Sequence, residues 1–146
     1  MKRYLLAMIV LLVFGSTACS PAPAASAGSI QILSAWAEAA NKGDNTAIFM
    51  QIKNTGSAND QLVKAVTDAG MMVGLHQTVM KDNVMTMPEL AAIDIPANGQ
   101  VELKSGSFHI MVMGISKDLK PGDKLHLTLT FVKAGPITLD AEIRNP

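Results

Sequence analysis

One cysteine, Cys19, occurs in the whole sequence, and nothing after it can form a thiolate or a disulfide. A domain downstream of Cys19 is therefore excluded from zinc–thiolate sites, Cys-x-x-Cys redox chemistry and blue-copper electron transfer, which needs a cysteine ligand. Aromatic residues are scarce at 4%, with one tryptophan and one tyrosine. Charge of one sign is missing too: 12 basic and 12 acidic residues are mixed along the chain, so neither nucleic acid nor an anionic lipid surface is indicated. The longest apolar run, Tyr4 to Phe14, is too short to span a bilayer as a helix.

That run follows Lys2 and Arg3, the pattern of a bacterial export signal: a charged start and then a short apolar stretch. Two processing routes fit. Ser16-Thr17-Ala18-Cys19 resembles a lipobox, which would make Cys19 a lipid anchor, although Ser16 stands where leucine is usual. Ala25-Ser26-Ala27 fits cleavage before Gly28. The expected organisation is a signal peptide over 1–19 (or 1–27), a Pro-, Ala- and Ser-rich tether over 20–29, and one domain over 30–146. The expected location is the periplasm or the outer face of the cytoplasmic membrane.

Beyond the tether nearly every apolar segment alternates with period two. Segments 47–53, 61–67, 73–80, 84–87, 100–104, 107–113, 124–133 and 136–143 read as strands. Asn54-Thr55-Gly56, Asn98-Gly99, Ser105-Gly106, Pro121-Gly122-Asp123 and Ala134-Gly135-Pro136 punctuate them. No stretch carries a sustained helical stripe. The pattern predicts an all-β fold, an antiparallel Greek-key β-sandwich or barrel. In Lys124 to Phe131, Leu125, Leu127, Leu129 and Phe131 share the core face. His126 falls on the other face and reads as a surface residue.

Methionine is abundant: of ten, only Met1 and Met8 precede Cys19. Met50, Met71 and Met72 read as gap-fillers in a core short of aromatics. That reading fails in Phe108 to Met113. There Phe108, Ile110 and Val112 supply a core face, and His109, Met111 and Met113 point the other way. Upstream, Asp82-Asn83 suits a two-residue hairpin turn, since both residues tolerate positive φ. In that register Lys81 opposes Val84, Met80 opposes Met85 and Thr78 opposes Met87, with His76 diagonal to Met87 on the same face. Two imidazoles and two thioethers can then converge. Such a set, neutral and soft with no carboxylate, selects Cu(I) over zinc, calcium or magnesium.

The spacing is specific: ten residues separate His76 from Met87, twenty-one separate Met87 from His109, and one separates His109 from Met111. It resembles the His-x10-Met-x21-His-x-Met motif of the periplasmic PCuAC-type copper chaperones. The likeness extends from about Ile32 to Ile143 through Ala35-Trp36-Ala37, Ile52-Lys53-Asn54-Thr55-Gly56, Leu75-His76, Ile95-Pro96, Val101-Glu102-Leu103-Lys104 and Pro121-Gly122-Asp123. Two departures stand out. Asn83 replaces the glycine common at the family's hairpin turn. The chain ends Ile143-Arg144-Asn145-Pro146, so the His- and Met-rich copper(II) tail of some members is not expected here.

The resemblance implies a cupredoxin-like fold, one Cu(I) held by His76, Met87, His109 and Met111, and no enzymatic activity. It implies delivery of copper for the binuclear centre of cytochrome c oxidase, with an oxidase subunit or a Sco-type assembly protein as transient partner. A copper-buffering protein without a dedicated acceptor would share the same site. Protonation of imidazole should compete with the metal, weakening binding below about pH 6. Met80, Met85 and Met113 would either form a soft collar around the ion or merely pack. Nothing in the sequence points to an oligomer, so a monomer is expected.

Overall fold

The computed structural model describes residues 25–145. The expected export signal over 1–19 and the first half of the tether, 20–24, lie outside the described residues. The strands are β1 (Ala25–Ala27), β2 (Ile30–Glu38), β3 (Thr46–Asn54), β4 (Asp60–Val66), β5 (Gly70–Gln77), β6 (Val79–Lys81) and β7 (Val84–Thr86). They continue with β8 (Glu89–Leu90), β9 (Ile93–Ile95), β10 (Gln100–Leu103), β11 (Phe108–Ile115), β12 (Lys124–Phe131) and β13 (Gly135–Arg144). No helix occurs among the described residues. The all-β expectation holds, and the segment read as tether ends in β1, which turns back onto β2.

One large sheet runs in the order β8-β5-β11-β10-β3-β2-β13-β12-β4-β9, with β1 added on β2 and β11 also pairing β3. It curls into a barrel-like shell, and β6–β7 form a separate two-stranded hairpin. The sheet is mixed rather than purely antiparallel. β10 pairs β11 in parallel, and β13 pairs β2 in parallel. Alternation within a strand reports which side chains share a face but carries no information about the direction of a distant neighbour, so these two pairings were not foreseeable from it.

The interior follows the period-two reading closely. Leu125, Leu127, Leu129 and Phe131 are buried, and β13 sets Ala141, Leu139 and Ile137 opposite the three leucines. Ile30, Ile32, Ile48, Ile52, Ile110 and Val112 complete the apolar interior from the other side. Each such side chain contributes roughly 1.5–3 kcal/mol on burial, so this shared interior, and not any one turn, holds the shell together. Met50 is buried as expected.

Met71 and Met72 are not: they are 81% and 60% exposed. Among the described residues nothing buries these two side chains. Met71 instead lies against Gly114, where a side chain would come within 3.4 Å of its sulfur.

A buried carboxylate ties the far end of the shell. Asp60 accepts backbone N–H groups from Gln61, Lys133 and Ala134 at 2.8, 2.8 and 2.9 Å, which anchors the β12–β13 turn to β4. Burial alone would raise its pKa. The three amide donors and the Lys133 charge more than offset that and hold the carboxyl below the usual range.

Candidate metal centre

β5 lies between β11 and the short edge strand β8. The β5–β11 register sets His76 directly opposite His109, Leu75 opposite Ile110 and Gly74 opposite Met111. Leu75 and Ile110 face the interior, so His76, His109, Gly74 and Met111 share the other face. The imidazoles lie 5.9 Å apart between centroids, with planes inclined by 20°. Both are buried, at 9% and 5% exposure.

Each ring is oriented by a backbone carbonyl. His76 Nδ1 lies 3.1 Å from the Met87 carbonyl oxygen, and His109 Nδ1 lies 3.1 Å from the Ser107 carbonyl oxygen. A carbonyl only accepts, so each Nδ1 carries the proton and donates it. In the neutral ring that leaves Nε2 as a bare lone pair, the usual arrangement for a metal-binding imidazole. His76 Nε2 is buried and has no hydrogen-bond partner among the described residues. An orphaned acceptor in that position costs free energy unless something electron-poor binds it.

Met87, His109 and Met111 line one cavity of about 240 Å³ together with Glu38, Thr46, Ala47 and Phe49. Met87 is 45% exposed, so one wall of the cavity opens to solvent. Of the four residues singled out from sequence, Met87, His109 and Met111 share this cavity, and His76 lies outside its lining but stacks on His109 and bonds the Met87 carbonyl. Imidazole and thioether are neutral, soft donors of the kind that suits Cu(I).

The route by which Met87 arrives differs from the expected register. The turn is as anticipated: Asp82 and Asn83 have φ of 51° and 61°, and Lys81 opposes Val84 while Met80 opposes Met85. The ladder stops there, with Val79 opposite Thr86. Thr78 leaves the hairpin to donate its amide to Ser107, so it does not oppose Met87. Both edges of β5 are already taken, by β11 and β8, and the hairpin must swing out as a separate unit. Met87 meets His76 through its carbonyl rather than diagonally across a ladder.

Two neighbours were missed in the sequence. Gly74 has no side chain to fill the space where the His76 ring lies: a Cβ there would come within 2.7 Å of His76 Nε2. Glu89, opposite His76 on β8, brings its Oε1 within 3.2 Å of where that Gly74 Cβ would stand. Glycine one pleat repeat before a candidate ligand was the available signal for the first; nothing local signalled the second, because β8 is only two residues long.

Other clusters carry less chemistry. A larger cavity, about 370 Å³, lies beside Asp60 and Asp94, but Asp60 is satisfied by backbone amides and Asp94 accepts from Gln61 Nε2 at 2.7 Å. His126 is exposed and bonded to Asp140 across β12–β13, in keeping with its reading as a surface residue.

Comparison with known proteins agrees with this architecture. Residues 30–143 match the family described as "Putative lipoprotein LpqE-like". The chain is 37% identical over 131 residues to "Putative lipoprotein Lxx21020" of Leifsonia xyli subsp. xyli (strain CTCB07), covering 84% of this chain and 78% of that protein. Among solved structures it resembles the copper-bound PCuAC domain from PmoF2, with a TM-score of 0.71 and 26% identity over 83% of this chain and 97% of that one. It also resembles the Cu(I) form of DR1885 from Deinococcus radiodurans, with a TM-score of 0.56 and 25% identity over 78% of each chain. A soft donor set on a barrel-like β-shell, in a chain matched from Ile30 to Ile143, makes this protein a member of the LpqE-like family of PCuAC-type copper chaperones.

Proposed function

We propose that the protein carries a single Cu(I) outside the cytoplasmic membrane, bound by Nε2 of His76 and His109 and the sulfurs of Met87 and Met111, and yields it to a protein acceptor. The observation that carries this reading is the buried, unpartnered Nε2 of His76 beside a second imidazole held in the same tautomer. The copper-bound and Cu(I)-bound forms of the structural relatives support the choice of ion.

The donor set suits a carrier. Four neutral ligands stabilise Cu(I) without a thiolate, so a cysteine-bearing acceptor can displace them one at a time. The half-exposed Met87 is the natural first ligand to leave. The acceptor we favour is the machinery that builds the binuclear copper centre of cytochrome c oxidase, either an oxidase subunit or a Sco-type assembly protein. Acylation of Cys19 would keep the carrier at the membrane where such a partner resides; the lipoprotein descriptions of its relatives support that anchor.

Anaerobic competition against a Cu(I) chelator tests the binding, with one equivalent per chain expected. Transfer of that equivalent to an oxidase-subunit fragment tests the destination. Tight binding with no transfer would replace delivery with copper buffering. Mass spectrometry of the mature amino terminus tests the anchor, and an unmodified Gly28 start would exclude it.

A further inference from the structure

The face of the β5–β11 ladder that bears the two histidines does not end at Met111. One pleat repeat further on, the register sets Met72 directly opposite Met113. Three opposed pairs therefore follow one another on a single face: His76 with His109, Gly74 with Met111, and Met72 with Met113. The opposite face of the same strands carries Leu75, Ile110 and Val112 in the interior. Met72 and Met113 were not recruited for packing: Met72 is largely exposed and Met113 half-buried.

Successive pairs on one face are about 7 Å apart along the strands, and directly opposed Cβ atoms lie about 5 Å apart. A methionine side chain has three rotatable bonds beyond its backbone, enough for two opposed sulfurs to close on one ion. On β5 the position between the two pairs is Gly74, so no side chain of that strand separates Met72 from His76. Met111 sits between them on β11 and can reach either way. The two strands contribute three thioethers, two imidazoles and a glycine to this row, and the Glu89 carboxylate of β8 lies alongside it at Gly74.

We propose that Met72 and Met113 form a second Cu(I) station, weaker than the first, through which the ion enters or leaves by way of Met111. The inference rests on the assignment of the first site to His76, Met87, His109 and Met111. Movement between stations is ligand exchange alone. The ion stays Cu(I), one sulfur–copper bond forms as one nitrogen– or sulfur–copper bond breaks, and no electron or proton is transferred. Two thioethers without imidazole leave coordination positions open, which makes this station suited to handover rather than storage.

The test is an anaerobic Cu(I) titration of the full chain carrying ¹³C-methyl-labelled methionine. The first equivalent should shift the Met87 and Met111 methyl signals, and a second, at least about 100-fold weaker, those of Met72 and Met113. The Met72→Leu/Met113→Leu variant should lose the second event, keep the first affinity and slow Cu(I) transfer to a chelator by about tenfold. Leucine is close in volume to methionine, and Met72 is exposed, so folding should survive. A second equivalent that moves only Met80 and Met85, or none of the methionines, would overturn the station. So would a leucine variant with unaltered second binding and transfer. If the first equivalent left Met87 and Met111 unmoved, the main site would fail instead, and the two failures are read from different signals.

Discussion

His76 and His109 occupy directly opposed positions on neighbouring antiparallel strands, their rings 5.9 Å apart and each tied through Nδ1 to a backbone carbonyl. Neither carbonyl belongs to the opposing histidine's strand partner. Met87 and Ser107 supply them from the segments that flank the ladder, so ring orientation depends on chain entering and leaving the site as well as on the ladder itself.

Removal of either candidate donor on β11 should be selective. His109→Ala and Met111→Ala are each expected to weaken Cu(I) binding by more than about 100-fold, or about 3 kcal/mol. Thermal melts of the metal-free protein should move little by comparison. Chelator competition checks the first, and a double variant that bound copper as well as the parent would end the assignment.

Gly74→Ala is the sharper test of geometry. Its Cβ would lie 2.7 Å from His76 Nε2, closer than real carbon–nitrogen contacts allow, so the ring must move off its lone-pair direction. Affinity should fall on the order of 10- to 100-fold, comparable to loss of an orienting hydrogen bond. An unaltered affinity would mean that His76 can swing freely, contrary to its hydrogen bond with Met87.

Asp60 ties stability to pH. Its pKa is lowered in the folded chain, so its contribution is fully present above the unfolded value near 3.9 and is lost as pH falls through the folded one. Asp60→Asn should cost about 2 kcal/mol at pH 7, where the carboxylate accepts three amides. The gap between parent and variant should narrow from about pH 4 downward. Urea melts at pH 7 and pH 3 measure it; a gap that widened in acid would reverse the argument.

The hairpin carrying Met87 turns on two residues at positive φ, and Asn83 at 61° tolerates this where a β-branched residue does not. Asn83→Val should destabilise the β6–β7 pair by about 1–2 kcal/mol and Asn83→Gly should not. Faster amide exchange at Lys81 and Val84 in the valine variant, with Leu127 unchanged, would locate the effect. Equal exchange in all three proteins would show that the turn does not hold the hairpin.

Much of this was legible before the fold was known. Alternation alone separated His109 and Met111 from Phe108, Ile110 and Val112, because a strand sends successive side chains to opposite faces whatever surrounds it. It likewise identified Leu125, Leu127, Leu129 and Phe131 as interior, while tolerance of positive φ marked Asp82-Asn83 as a turn. Met71 and Met72 were misassigned on a different ground, the scarcity of aromatics that made methionine read as core filler. Period two states that residues share a face, and only the tertiary arrangement states whether anything covers that face.

By itself the sequence determined the soft donors, their spacing and the faces they occupy, since these follow from side-chain chemistry and the geometry of a single strand. Tertiary structure decided the rest. It made the parallel pairings, set β8 and Glu89 beside His76, and put the Met87 carbonyl against the imidazole instead of its side chain across a ladder. Those outcomes depend on which strands compete for the two edges of β5. That competition is settled by how the whole shell buries its interior, and no local pattern records it.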